Sequence, residues 1–222
     1  MKAPRVYPNH RGFTLIELLA IVAAVMVLAA LLLPAVSSSR PRKYAAWCIY
    51  QLKQIDTGFV LYAPDHMNQF PMQIPVASGG TRELVESGHA FLQFQKLQHY
   101  VPGTNLCTIL ICPFDTNRQP AADSQTLTDS NLSFFLNADA QLNIRPAKTI
   151  LVGHRDLTIN GQPLSPGLHT VPTNTNLDWS GQIHPQGGIL GYADGHVQMI
   201  RTGALQLEFA MQPAITNRLL IP

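Results

Sequence analysis

The sequence predicts an α+β fold, in which the second half of a long N-terminal helix packs on a small antiparallel β-sheet. Three observations predict this fold class. Residues 13–36 form an apolar run, residues 40–62 have an amphipathic helical pattern, and residues 188–200 have the pattern of a β-hairpin. Helical and extended segments that occupy separate parts of a chain are typical of α+β proteins.

The composition suits one globular domain with an appendage. The chain has 222 residues, of which 46% are hydrophobic and only 13% are charged. Its first twelve residues contain Lys2, Arg5 and Arg11 and no acidic residue. Removing these three charges from the formal net charge of +2 leaves −1 for the remainder. Binding to nucleic acid requires a basic surface, so we expect no nucleic-acid partner.

The apolar run at 13–36 is long enough to span a bilayer, because about 20 apolar residues suffice for a membrane helix. It is too long for the apolar core of a cleaved signal peptide, which has roughly 7–15 residues. Glu17 is its one charged residue. A carboxylate in a membrane helix is costly, so Glu17 either lies at the interface or pairs with a cation.

The junction between the basic leader and the apolar run has an ordered motif, RGFTLIELL, over residues 11–19. This motif resembles the processing site of type IV prepilins and type II secretion pseudopilins. The resemblance implies that a prepilin peptidase cleaves between Gly12 and Phe13 and that Phe13 is then N-methylated. It also implies that Glu17 meets the N-terminal amine of a neighbouring subunit. Pro34 stands 22 residues after Gly12, where many pilins have a proline.

The same resemblance implies a division of the chain into four segments. These are a leader at 1–12, a transmembrane and assembly helix at 13–36, a soluble continuation of the helix at 37–62, and a head at 63–222. It further implies a single-pass inner-membrane protein with its head in the periplasm, or assembled into an extracytoplasmic filament. The implied function is that of a structural subunit, pilin or pseudopilin. The implied partners are the prepilin peptidase and other pilin or pseudopilin subunits.

The continuation of the helix is expected to form the spine of the head. Five apolar residues recur there at mixed three- and four-residue spacings, namely Trp47, Tyr50, Ile55, Phe59 and Tyr62. This pattern predicts a helix with one buried face. Pro64 is expected to end the helix.

Further elements are expected in the remainder of the head. A second helix is predicted over 81–99, and strands are predicted over 108–111, 132–136 and 149–153. In the hairpin at 188–200, Asp194-Gly195 lies between apolar strands. Asp-Gly in this position predicts a two-residue type I′ turn, in which Asp194 has positive φ.

Several motifs of the head form a second pattern. They are Cys48 followed by Leu52-Lys53-Gln54-Ile55, then Cys112-Pro113 with Asp115, and then His184 nine residues before Asp194-Gly195. This pattern resembles a pseudopilin-like family of planctomycete, verrucomicrobial and related bacteria. The chain departs from that family at Asp56, where Gly is usual, and at His154, where an Asp commonly precedes the Arg.

The three cysteines of an exported chain predict one disulfide and one leftover thiol. Sequence alone leaves three pairings open. The resemblance favours Cys48–Cys112, since both lie in the matching segments, and Cys107–Cys112 is the alternative. A zinc site built from the three cysteines and a histidine is a weaker interpretation, because the cysteine spacing is not that of a zinc finger.

The sequence near the hairpin allows three interpretations of His184, Asp194 and Gly195, namely turn residues, a metal site or an acid–base pair. Turn chemistry is the simpler interpretation for Asp194. Calcium is an alternative, but it requires several oxygen ligands, and the chain has no acidic run that would supply them. We therefore expect no cofactor. The chain also has no catalytic signature motif, so we expect no enzyme.

Two other functions stay open from the sequence. The first is a membrane-tethered, exported binding module that does not polymerise and that captures a polysaccharide or peptide near Met72 or Trp179. The second, and weaker, is an exported hydrolase built around His184 and Asp194.

Overall fold

A computed structural model of the chain describes residues 14–37, 40–101 and 105–222. The chain divides into two compact units, residues 1–43 and residues 44–222. The second unit is the head.

Helix α1 (Leu15–Ser37) lies in the first unit, and its backbone remains helical across Pro34. The side chains of residues 15–30 are all exposed. Among the described parts of the chain, no helix meets both the length and the hydropathy that a membrane crossing requires. The membrane span predicted at 13–36 begins outside the described residues, and it remains a prediction.

Helix α2 (Arg40–Asp65) runs into the head and forms its spine. Its buried stripe has the residues Cys48, Leu52, Ile55, Phe59 and Tyr62. The prediction that Trp47 and Tyr50 belong to this buried face is wrong, because each is 52% exposed. The correct stripe starts from the small Cys48 rather than from the aromatic residues beside it.

Helix α2 also continues through Pro64 to Asp65, so the prediction that Pro64 ends the helix is wrong by one residue. A proline in the last turn removes only one backbone hydrogen bond. A turn follows the helix, in which His66 N–H donates to the carbonyl of Ala63 at 2.9 Å.

The described part of the head contains three short α-helices and nine strands. The helices are α3 (Phe91–Phe94), α4 (Leu106–Ile109) and α5 (Leu205–Ala210). The strands are β1 (Phe134–Asn137), β2 (Ile150–His154), β3 (Leu157–Ile159), β4 (Gln162–Pro163), β5 (Gly167–Pro172), β6 (Leu177–Trp179), β7 (Gly187–Tyr192), β8 (Val197–Arg201) and β9 (Thr216–Ile221).

The strands form two antiparallel sheets. The larger sheet has the order β5-β9-β1-β2-β7-β8, and the smaller has the order β4-β3-β6. Both faces of the larger sheet are covered. Phe134 and Leu136 share a core with α2, whereas Phe135 packs in a second core with α5 and the smaller sheet. Alternate residues of β1 thus serve opposite faces, as strand geometry requires. The predicted α+β class, with a helix on an antiparallel sheet, is confirmed.

Two segments differ from the sequence prediction. The helix expected over 81–99 is broken into a 3₁₀ helix at Arg82–Ser87, helix α3 and a further 3₁₀ turn. Gly88 ends the first piece in the left-handed conformation, with φ of +77°. The strand expected over 108–111 is wrong, because α4 covers residues 108–109 and a turn and a bend follow it at 110–111. The Asn105 side chain caps α4 by accepting a 3.0 Å hydrogen bond from Cys107 N–H.

The hairpin of β7 and β8 is present, but its turn differs from the predicted type I′. Tyr192 N–H donates to the carbonyl of His196, so three residues form the loop. The residue with positive φ is Gly195, at +83°, and not Asp194. A three-residue loop that ends in a left-handed glycine is the next most common hairpin connection. The loop also contacts the residue before β2, since Ala193 N–H donates to the carbonyl of Thr149 at 2.9 Å.

Candidate functional site

The start of α1 is held by a reciprocal pair of side-chain contacts. Thr14 donates from its N–H and from its hydroxyl to the Glu17 carboxylate, at 2.8 Å each, and Glu17 N–H reaches Thr14 Oγ1 at 3.4 Å. This is a capping box, which satisfies backbone donors that a helix start leaves free. Gly12 and Phe13, the predicted cleavage residues, lie outside the described residues.

The disulfide of the head joins Cys48 to Cys112, with Cα atoms 5.6 Å apart, within the usual range for such bonds. Cys107 is a free, buried thiol. Gln51, one turn after Cys48 on α2, donates to the carbonyls of Thr108 and Ile111 at 3.2 and 2.9 Å. Helix α2 therefore positions the segment that carries Cys112 through both a covalent bond and hydrogen bonds.

Two histidines lie beside this disulfide. One sulfur or ring nitrogen from each of Cys48, Cys112, His154 and His184 falls within 4.8 Å of all the others, and all four residues are buried. We call these four residues the Cys/His cluster. They come from helix α2, the segment after α4, the end of strand β2 and the turn before β7. Four separate parts of the chain therefore converge on this point.

The rings of the Cys/His cluster are packed by aromatic contacts. Cys112 Sγ lies 3.4 Å from His184 Nε2. The His184 and His154 rings are stacked with centroids 4.7 Å apart. Phe134 stacks on His154, and the edge of Phe114 contacts His184. These contacts fix the orientation of both imidazole rings.

Burial keeps both histidines neutral. It lowers the pKa of His154 well below its usual value, and the neighbouring His184 lowers this pKa further. Burial also lowers the pKa of His184. A neutral imidazole has one nitrogen that donates and one that accepts. His154 Nδ1 accepts a 3.3 Å hydrogen bond from Ile189 N–H, whereas its Nε2 has no hydrogen-bond partner among the described residues.

A buried ion pair connects the segments that follow Cys112 and His154. Arg155 donates to both carboxylate oxygens of Asp115, at 2.7 and 2.8 Å. The Asp115 side chain is 2% exposed and the Arg155 side chain 17%. Bidentate pairs of this kind fix geometry strongly. The pair therefore holds Cys112 and His154 at a defined separation.

The carboxylate of Asp56 is buried between α2 and β7 without a hydrogen-bond partner among the described residues. It lies against Gly191, where any side chain would collide with it. Burial raises the pKa of Asp56 well above its usual value, Lys53 opposes this increase and Asp194 adds to it. The Asp56 side chain is therefore protonated at a pH where an exposed Asp is ionised.

The structure places His184 and Asp194 in different surroundings. His184 belongs to the Cys/His cluster, whereas Asp194 accepts hydrogen bonds from the N–H and ring of His196 in the hairpin loop, at 3.0 and 2.6 Å. Gly195 supplies the positive φ of that loop. Within the described ranges, the group of three or more metal-ligating side chains that converge consists of sulfur and imidazole donors. Calcium requires oxygen donors, so this cluster does not suit it.

Sequence reasoning missed two of these features. The capping box could have been found from Thr14 and Glu17, because Thr-x-x-Glu before an apolar run is its signature. For His154, the sequence patterns indicate only a departure from a family pattern. Its signal was a histidine that directly follows the buried strand residues 150–153. A polar side chain at the end of such a strand requires a partner inside the protein.

Comparison with known proteins gives one finding for the N-terminal segment. The family model described as the prokaryotic N-terminal methylation motif matches residues 7–33. The match supports a type IV pilin-like protein. It implies a membrane-anchored N-terminus, processing by a prepilin peptidase and partners of the pilin type. The match covers about an eighth of the 222 residues. No curated protein and no solved structure matches the chain.

Proposed function

We propose that the chain is a structural subunit, pilin or pseudopilin, of a type IV pilus-like or type II secretion filament. It is cleaved after Gly12, N-methylated at Phe13 and held in the inner membrane by one helix, with the head in the periplasm. The observation that carries this proposal is the methylation motif at 7–33. The motif includes most of helix α1, whose described apolar side chains are exposed.

The exposure of α1 supports a role in assembly. Leu15 and Ile16 are 77% and 76% exposed, and Leu18 and Leu19 are each 59% exposed. Large contiguous apolar surfaces are usually covered by a membrane or by another protein. In the proposed cycle, lipid covers α1 before assembly, and the helices of neighbouring subunits cover it in the filament.

Glu17 has the chemistry to set the register between subunits. Its carboxylate already accepts two hydrogen bonds from Thr14. An ionised carboxylate has about four acceptor positions, so it can also accept a hydrogen bond from the Phe13 amine of a neighbouring subunit. Cleavage after Gly12 creates that amine. Pairing the two charges removes the cost of leaving either one alone in an apolar fibre.

Processing is tested at the junction itself. A glycine allows close approach to the scissile bond because it lacks a side chain. The Gly12→Leu variant should therefore retain its leader, and intact mass spectrometry should show the uncleaved and unmethylated chain. The Ala3→Leu variant, which changes the leader away from the junction, should be processed normally. Normal cleavage of the Gly12→Leu variant would contradict the proposal.

Assembly is tested by Glu17→Gln, which removes the charge and preserves the capping box, because Gln can also serve at this position. The variant should be processed normally but enter filaments about tenfold less, equivalent to about 1.4 kcal/mol. Glu83→Gln is the control, since Glu83 is an exposed acid of the head. Equal incorporation of both variants would refute the pairing of Glu17 with the amine.

A tethered binding module is the second candidate, and one observation favours it. The head has an open cleft of about 620 Å³ near Met72, lined mostly by polar side chains such as Gln73, Gln141 and Asn143. Amide-rich clefts suit ligands with many hydroxyl or amide groups. Cell fractionation separates the candidates. A filament subunit pellets with sheared appendages, whereas a tethered module stays with the membrane.

A further inference from the structure

We propose that the Cys/His cluster is a zinc site in the reduced protein and that the Cys48–Cys112 disulfide is the metal-free, oxidised form of the same site. This inference does not depend on filament assembly, because its residues all lie in the head.

The donor set has the composition of a structural zinc site. Two cysteines and two histidines form the Cys₂His₂ combination, which binds Zn²⁺ in tetrahedral geometry. The four donor atoms already lie within 4.8 Å of one another. In a tetrahedral site with Zn–S near 2.3 Å and Zn–N near 2.0–2.1 Å, donors lie about 3.3–3.8 Å apart. The longest separation between donors therefore needs to shorten by no more than about 1.5 Å, while the two sulfurs separate.

The surroundings support the same assignment. All four residues are buried, and they come from four separate elements, as in structural sites that tie a small domain together. The Asp115–Arg155 ion pair fixes the segments beside Cys112 and His154. These restraints orient the donors before a metal arrives, and orientation by a supporting shell strengthens metal binding.

His154 provides a second, independent observation. Its Nε2 is buried without a hydrogen-bond partner among the described residues. Buried polar atoms usually have hydrogen-bond partners, and in the disulfide form this nitrogen lacks one among the described residues. Coordination through Nε2 places the ring proton on Nδ1. The 3.3 Å hydrogen bond from Ile189 N–H to Nδ1 is then lost, and because two N–H donors cannot pair, the ring or the Ile189 peptide must shift when the metal binds.

The two forms are connected by a balanced thiol–disulfide exchange. A small-molecule disulfide oxidises the two zinc-bound thiolates, and a sulfur–sulfur bond forms between Cys48 and Cys112. The sulfur–sulfur bond of the oxidant breaks and leaves as two thiolates, and Zn²⁺ departs with its charge unchanged. The cluster is buried, so bound zinc should also slow this oxidation by keeping the site closed.

The test uses the full chain, purified in detergent and prepared in oxidised and in phosphine-reduced form. After incubation with zinc chloride and gel filtration, mass spectrometry of the metal should give about one zinc per reduced chain and almost none per oxidised chain. Zinc should also raise the melting temperature of the reduced wild type and leave that of the oxidised wild type unchanged. Equal zinc contents of the two forms would overturn the proposal, as would a reduced chain without zinc.

Cobalt identifies the ligands. The reduced chain with Co²⁺ should show the thiolate-to-cobalt charge-transfer band and the intense visible absorption of a tetrahedral site. Cys48→Ser, which leaves Cys112 as the one thiolate ligand, should give about half the intensity of the sulfur band, and Cys107→Ser, which alters the free thiol outside the cluster, should retain it in full. Loss of the band in Cys107→Ser would overturn the assignment. If Cys48→Ser does not fold, the comparison of reduced and oxidised wild type decides the question alone.

Discussion

Removing the Cys48–Cys112 disulfide should cost the head a large part of its stability. The bond spans a sequence separation of 64 residues. In the chain-entropy model, closing a loop of this size stabilises the folded state by about 4 kcal/mol at 25 °C. Native domains typically have unfolding free energies of about 5–15 kcal/mol, so the loss is substantial.

The double variant Cys48→Ala/Cys112→Ala isolates this effect, because alanine removes both thiols and leaves no buried polar atom. Urea unfolding of the full chain in chelating buffer can be followed through tryptophan fluorescence, in which the change comes mainly from Trp179, at 4% exposure, rather than from Trp47, at 52%. With a urea dependence of about 2 kcal/mol per molar, a loss of 4 kcal/mol lowers the midpoint by about 2 M.

Two controls test the reasoning. Cys107→Ala removes a buried thiol without breaking a bond, so its midpoint should shift much less. Reductant added to the oxidised wild type, in the presence of chelator, should reproduce the loss and leave the double variant unchanged. If the double variant and the oxidised wild type have the same midpoint, the bridge does not restrain the unfolded chain, and the reasoning is wrong.

Three further predictions concern the head. Because burial raises the pKa of Asp56, the folded state binds more protons than the unfolded state above about pH 4, so stability should fall as pH rises through the folded pKa. Asp56→Asn should remove this decline in urea unfolding, and parallel pH profiles for the two proteins would contradict it. Arg155→Met leaves Asp115 buried and unpaired, which should lower the free energy of unfolding by about 3 kcal/mol. In a double-mutant cycle with Asp115→Asn, the losses of the two single variants should not add up to the loss of the double variant. Gly188→Ala places a methyl group 2.6 Å from the Trp179 ring and should cost about 1–3 kcal/mol in thermal unfolding; an unchanged melting temperature would show that the ring can move.

Periodic patterns predicted the main elements of the fold because those elements depend on local sequence. The spine helix, the strands β1 and β2 and the last hairpin follow from apolar spacing and from the Asp194-Gly195 pair. The errors arose where contacts distant in sequence decide the structure. Residues 108–111 look like a strand, but Gln51 donates to the carbonyls of Thr108 and Ile111 from 57 and 60 residues away, beside a helical turn that the local Asn105 cap begins.

The buried face of α2 is a separate case. Trp47 and Tyr50 have more apolar surface than Cys48, which favoured them for the core. Cys48 instead lies inside, bonded to Cys112, and the two aromatic side chains are exposed. The buried residues Cys48, Leu52, Ile55, Phe59 and Tyr62 recur at alternating spacings of four and three, so the regular spacing marks the same face as the bond.

The Cys/His cluster could be predicted only in part. The sequence related Cys48, Cys112 and His184 to one pattern, but it linked His184 to Asp194 rather than to His154. Spacing along the chain carries no information about which strand end faces which turn. The register of β1 with β2, which places His154 opposite Phe134, arises only in the folded sheet.

The disulfide also limits how far the head can be drawn out by mechanical tension. A load between α2 and the C-terminus passes through Cys48 and Cys112, and the chain between them carries none of it. That segment would otherwise contribute about 220 Å of extended chain, at about 3.4 Å for each of 64 residues. In a force-extension measurement, the contour length that unfolding releases should therefore be shorter by this amount in the oxidised protein than in the reduced protein. The oxidation state thus determines how far the protein extends under load.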